Sequence, residues 1–240
     1  MDRTKTIAGH GPIRQIAWLT EDLDRAIDQW RLHAGVGPWT VYRNVTLDGL
    51  YRGVPATVRI DVGLAYQGET QIELIAPHGT GPSPYHDANG RVRVGMHHIA
   101  WLVDDVAAAA KDAAAAGLIP VFSAESGGGA TRVAYLEAPD EPAILLELIE
   151  ATPMIREGFE AGTAAARDWD GSTPLPFSTS QPEGASWKRS FTLCGKTARR
   201  KTRASPRGCS ATSRRGLADW RTRCASMSRT TASGPAPRRA

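Results

Sequence analysis

Apolar and other residues alternate from Ile13 to Leu19, predicting a strand with Ile16 and Trp18 on one face and Gln15, Ala17 and Leu19 on the other. The period then lengthens. Leu23, Ala26, Ile27 and Trp30 fall at i, i+3, i+4 and i+7, the stripe of an amphipathic helix. Asp22 is placed to cap its start, and Gly35 with Gly37-Pro38 to stop it. β-rich segments follow at about 39–46, 56–66 and 70–76, and Gln67-Gly68-Glu69 between the last two is a hairpin signal.

The same scheme then recurs. IRQIAWLTED at 13–22 and MHHIAWLVDD at 96–105 share Ile-Ala-Trp-Leu and close on an acidic pair. A repeat of this kind implies two copies of one supersecondary unit. In the second copy a strand at 96–103 leads through Asp104 and Asp105 to an alanine-rich helix, 106–116, stopped by Gly117. Strands follow near 119–123, 131–137 and 143–150. Each copy therefore reads β-α-β-β-β, and the expected fold class is α+β. Module one spans 11–77, a proline- and glycine-rich linker 78–94, and module two 95–152. A last helix is expected over 153–169, with Pro153 at a tolerated first-turn position.

Composition splits the 240-residue chain into two unequal parts, a domain over 1–178 and a tail over 179–240. Residues 181–240 carry 15 Lys and Arg against Glu183 and Asp219, a net of +13, which leaves −9 of the total +4 for residues 1–180. The same segment has no Val, Ile, Tyr, Asn or His, so it cannot bury enough apolar surface to offset its ordering entropy, and disorder is expected. Its Arg-heavy mixture with scattered Cys and Trp has the character of an out-of-frame translation of GC-rich coding sequence. The acidic part gives no footprint for nucleic acid. Cys194, Cys209 and Cys224 all lie in the tail, a poor disulfide framework. With no signal-like start and no run of ~18 apolar residues, a cytoplasmic protein without membrane contact is expected.

The candidate chemistry comes from the strands. Parity buries Ile16 and Trp18 under one helix and Ile99 and Trp101 under the other, which turns Gln15 and His98 to the open face of the sheet. Glu73 stands between Ile72 and Leu74, and Glu147 between Leu146 and Leu148, both in Glu-Leu-Ile contexts on the last strand of their modules. A carboxylate inside an apolar strand is costly unless neutralised, and neither run contains Lys or Arg. A divalent cation is the simplest partner. Mixed nitrogen and oxygen donors suit zinc, nickel, cobalt, manganese or iron. Open positions would let a small-molecule substrate chelate through two oxygens, polarising a carbonyl and stabilising an enediolate. Glu147, or secondly Glu73, would move the proton.

Other polar residues read differently. Parity turns His97 to the opposite face, in a structural role. His78, Tyr85 and His86 lie in the linker within reach of a substrate, and His10 and His33 have no supporting context. Trp18, Trp30 and Trp101 read as core. Gly127-Gly128-Gly129 does not open a helix after a strand and does not read as a phosphate loop.

These segments resemble the vicinal oxygen chelate superfamily, which includes glyoxalase I, methylmalonyl-CoA epimerase and bleomycin resistance proteins. GMHHIAWLVDDVAAA is similar to the start of the second module in the epimerases, and GLAYQGETQIELIAP and RVAYLEAPDEPAILLELIE to their hairpins. The likeness covers about residues 12–152. It implies an α+β fold of two modules forming a half-open, barrel-like sheet around a metal site, metal ligands at Gln15, Glu73, His98 and Glu147, a divalent ion (zinc, nickel, cobalt or manganese), and lyase or isomerase chemistry. It also implies a homodimer. Most members carry histidine where this chain has Gln15, though zinc-type glyoxalase I has glutamine. One histidine and two modules fit poorly with the ring-cleaving dioxygenases, which need two histidines. The alternative is a non-catalytic small-molecule binder of the same fold.

Overall fold

The computed structural model describes residues 7–172. The expected disordered tail, 179–240, lies outside them. The described elements run β1 (Gln15–Leu19), α1 (Leu23–Gln29), β2 (Thr40–Tyr51), β3 (Val54–Gln67), β4 (Thr70–Pro77), β5 (Gly95–Val103), α2 (Val106–Ala115), β6 (Ile119–Ser126), β7 (Thr131–Ala138), β8 (Glu141–Glu150) and α3 (Pro153–Arg167). Both modules are β-α-β-β-β, the α+β arrangement expected of the repeat. No described helix is long and apolar enough to cross a membrane.

The strands form one ring in the order β1-β4-β3-β2-β6-β7-β8-β5. Within each module the first strand pairs parallel to the last, β1 with β4 and β5 with β8. Two antiparallel seams join the modules: β1 meets β5, and β2 meets β6. The β2–β6 ladder covers only Asp48–Tyr51 against Phe122–Glu125. Gly49 lies in it opposite Ala124, where a Cβ would fall 1.9 Å from the Ser123 carbonyl oxygen. The absent side chain is what lets these two backbones meet.

The helices lie where their apolar stripes dictate. Asp22 caps α1 by accepting from the Arg25 amide at 3.0 Å, and Asp105 caps α2 through the Ala108 amide at 2.9 Å. Leu23 and Ile27 of α1 pack with Trp39, Val41 and Leu74, joined by Trp18 and Trp30. Val106, Ala109 and Ala113 of α2 pack with Trp101, Leu136 and Leu148. These two clusters use the strand faces opposite to a third, which includes Ala17, Leu19, Ile60, Ile75 and Ile149. That third cluster fills the inside of the ring.

β2 and β3 are longer than the alternation suggested, because they continue to a turn at Arg52-Gly53, both at positive φ (48° and 80°). β2 also bulges between Tyr42 and Val45, with Asn44 at φ 54°. Asp61 holds this bulge: its carboxylate accepts from the Asn44 amide at 2.8 Å, from Arg43 Nη1 at 2.9 Å and from His78 Nε2 at 2.9 Å. Burial alone would raise the Asp61 carboxyl, but the Asn44 amide, His78 and Arg43 outweigh it and hold it below its ordinary value.

α3 begins at Thr152, whose hydroxyl accepts from the Ile155 amide, with Pro153 as the first helical residue. It lies against β3 and β4. Phe159 meets Tyr66 edge-on at 5.6 Å between ring centroids, and Gly162 faces the same ring so closely that a Cβ would stand 2.0 Å from Tyr66 Cε2.

Candidate metal centre

Register assembles the centre. Ala17 pairs with Glu73 on one side and His98 on the other, while Ala100 pairs with both Gln15 and Glu147. Alanine at both crossing points leaves room for the four longer side chains. Gln15, His98 and Glu147 are buried, His98 completely, and Glu73 is half-buried. All four expected ligands therefore come together.

Three oxygens converge on one nitrogen. His98 Nε2 lies 3.0 Å from Gln15 Oε1, 3.2 Å from Glu73 Oε2 and 2.8 Å from Glu147 Oε2. A single N–H can serve one of these well. In the structure that acceptor is Gln15, and Glu147 Oε2 lies off the N–H line and makes no hydrogen bond. Around an ion with ligands about 2.0–2.1 Å away, neighbouring donors stand roughly 3 Å apart. The spacings here have that size. A half-served cluster of two carboxylates, an amide oxygen and an imidazole fits a divalent cation.

Burial works to lower the His98 pKa, but Glu147 and Glu73 outweigh it and raise it to about 10. The Glu147 carboxyl is pushed above its ordinary value, first by burial, against the pull of His98. Burial also raises Tyr135, which pairs with Glu147 in the β7–β8 register and whose ring stacks tilted on His98 at 5.0 Å.

The Gln15 amide is held from behind. Gln15 Nε2 donates to Gln71 Oε1 at 2.7 Å, Gln71 Nε2 donates to the Tyr66 hydroxyl, and Tyr66 donates to the Gly158 carbonyl of α3 at 3.3 Å. The chain turns the Gln15 amide so that its oxygen faces His98. Sequence reading missed Gln71, although its spacing of two from Glu73 on the same strand placed it on the same face.

His97 departs from expectation. Strand parity sent it to the opposite face, but β5 bulges there: Ala17 pairs with His98 and Trp18 with Met96, which leaves His97 unpaired between them. His97 consequently packs beside His98, with Nδ1 atoms 2.9 Å apart, and its Nε2 lies 3.1 Å from the Pro84 carbonyl.

The linker residues divide. Tyr85 is fully buried, forms part of the pocket wall and meets the Tyr135 hydroxyl at 3.2 Å. His78 belongs instead to the Asp61 cluster. His86 is buried with Nδ1 2.7 Å from Ser83 Oγ, and neither lines the pocket.

A pocket opens over the centre inside the ring. Gln15, Gln71, Glu73 and Glu147 are polar points in a wall that is otherwise mostly aliphatic and aromatic, with Val62, Ile75, Val133 and Ile149 from strands and Met154 and Phe159 from α3. The described lining residues include no Lys or Arg.

The family model described as glyoxalase/bleomycin resistance protein/dioxygenase superfamily matches residues 14–135, more than half of the chain. The chain belongs to this superfamily. Among solved structures, this glyoxalase-superfamily chain is similar to a hypothetical protein from Bacillus halodurans C-125 at 17% identity, covering 59% of this chain and 94% of that one, with a TM-score of 0.41. It is also similar to methylmalonyl-CoA epimerase from Mycobacterium tuberculosis (20% identity, 60% and 91% covered, TM-score 0.41). A single-substitution variant of methylmalonyl-CoA epimerase from Streptomyces coelicolor, in complex with 2-nitronate-propionyl-CoA, is similar at 22% identity, with 57% and 92% covered and a TM-score of 0.38. No curated protein matches the chain.

Proposed function

We propose that this glyoxalase-superfamily protein is a metal-dependent lyase or isomerase that moves a proton on the carbon next to a carbonyl. The observation that carries the reading is the convergence on the buried His98 Nε2 of oxygens from Gln15, Glu73 and Glu147, three residues that line a pocket. Those four residues would hold the ion. When bound, it supplies Lewis acidity toward a substrate carbonyl.

The chain's own residues do the rest. Glu147 is assigned as the base that takes the proton, because it is the more deeply buried of the two carboxylates and burial pushes its carboxyl above the ordinary value. Glu73, more open to the pocket, is the second choice. The aliphatic walls and α3 keep water from the reacting carbon and favour a substrate with two adjacent oxygens on an otherwise apolar body. A glutathione or coenzyme A handle finds no cationic partner among the described lining residues.

The test is proton exchange. The protein loaded with zinc, nickel, cobalt or manganese is incubated in D2O with apolar α-hydroxyketones, hemithioacetals and thioesters. Deuterium entering next to the carbonyl, and lost in Glu147→Gln, supports the assignment. The apolar pocket also favours a second reading, a non-catalytic binder. Tight ligand binding that survives Glu73→Ala/Glu147→Ala, with no exchange in any substrate, would select that reading instead.

A further inference from the structure

The bulge at His97 has a chemical consequence for its neighbour. The Pro84 carbonyl can only accept, so the 3.1 Å contact requires the hydrogen on His97 Nε2. His97 is buried, and among the described residues its ring meets the Pro84 carbonyl, His98, Tyr85 and Tyr135 and pairs with no carboxylate that would hold a second proton, so its Nδ1 carries only a lone pair. The 2.9 Å contact between the two Nδ1 atoms then needs its hydrogen on His98. A neutral His98 with hydrogen on Nδ1 has its one lone pair on Nε2, the atom surrounded by the Gln15, Glu73 and Glu147 oxygens.

We infer that His97 is a positioning residue, a relay from the Pro84 carbonyl that fixes His98 in the tautomer whose Nε2 can ligate a metal. The inference rests on the metal reading of the site and assigns a function to the bulge. A regular β5 would send His97 to the other face and leave His98 Nδ1 without this acceptor. Outer partners of this kind usually hold metal-bound histidines through a carboxylate, a carbonyl or water. Here a second imidazole stands between the ligand and the carbonyl. The linker thereby acts on the centre, since Pro84 lies in the segment between the modules.

The test uses the full chain, zinc and two variants. His97→Leu removes the acceptor. His97→Asn can keep one, with Oδ1 in the place of Nδ1. Zinc affinity is measured by competition with a chelator, and long-range 1H–15N spectra of the zinc-loaded proteins report the protonation of each imidazole nitrogen. The wild type is expected to show His98 with hydrogen on Nδ1 and zinc on Nε2. His97→Leu is expected to bind zinc about ten- to a hundredfold more weakly, and His97→Asn to recover most of the loss. Equal affinity in His97→Leu, or a wild-type His98 bound through Nδ1, overturns the relay while leaving the metal site standing. A wild type that binds no zinc, nickel, cobalt or manganese overturns both.

Discussion

Gln15 and His98, 83 residues apart and at the same place in two repeats, meet at 3.0 Å across the β1–β5 seam. The contact follows from the duplication itself: two copies of one strand pair antiparallel, and equivalent positions on their inner faces approach each other. The two glutamates enter in the same way from the last strand of each module, which pairs parallel to the first. A centre with one amide, one imidazole and two carboxylates is thus built from two copies of a two-residue contribution.

The Gln15 amide depends on its support. In Gln71→Leu, Gln15 Nε2 loses its acceptor and the Tyr66 hydroxyl its donor. Stability is expected to fall by about 1–3 kcal/mol, and metal affinity by roughly ten- to a hundredfold. Chemical denaturation and chelator competition measure the two effects. Tyr66→Phe removes only the outer end of the chain and is expected to cost less in both.

The two carboxylates should separate in function. Glu147→Gln keeps an oxygen donor but cannot take a proton, so turnover is expected to fall about 10²–10⁴-fold with metal still bound. Glu73→Gln is expected to lose less turnover. Metal content and the deuterium-exchange rate, measured on the same samples, distinguish loss of the ion from loss of the base.

Much of this site could be read from the strands. The Ile-Ala-Trp-Leu repeat located both modules, and the paired glutamates in apolar runs were costly enough to demand a partner. Asp22 and Asp105 capped their helices as their side-chain chemistry required. His97 escaped because parity assumes an unbroken ladder, and a bulge one residue long reverses it. Gln71 escaped because an amide in a strand carries no charge to flag it. The length of β2 and β3 was hidden by Asp48-Gly49 and Arg52-Gly53, of which only the second is a turn.

Gly49 is expected to be intolerant for a reason of space. A Cβ there meets the Ser123 carbonyl at 1.9 Å, so Gly49→Ala must push β2 from β6 and cost about 1–3 kcal/mol or more. Gly81→Ala, where a Cβ meets nothing within 4 Å, is expected to stay within about 0.5 kcal/mol of wild type. Thermal unfolding of both variants checks the contrast.

Asp61 should give the fold a pH dependence on the acid side. Its carboxyl is held below the ordinary value, so its contribution is full above the unfolded pKa of about 3.9 and is lost as pH falls through the folded value. Asp61→Ala is expected to lose about 1–3 kcal/mol at neutral pH by stranding the Asn44 amide and Arg43. The gap to wild type should narrow as pH falls below about 4 toward the folded value. Urea unfolding at pH 7 and pH 3 measures it, and an unchanged gap would contradict this role.

Metal content tests the central claim most directly. The full chain is purified, refilled with zinc, nickel, cobalt or manganese, and analysed by mass spectrometry beside Glu73→Ala/Glu147→Ala. The metal reading predicts one ion per chain in the wild type and none in the double variant. No ion in either, or equal metal in both, would contradict it.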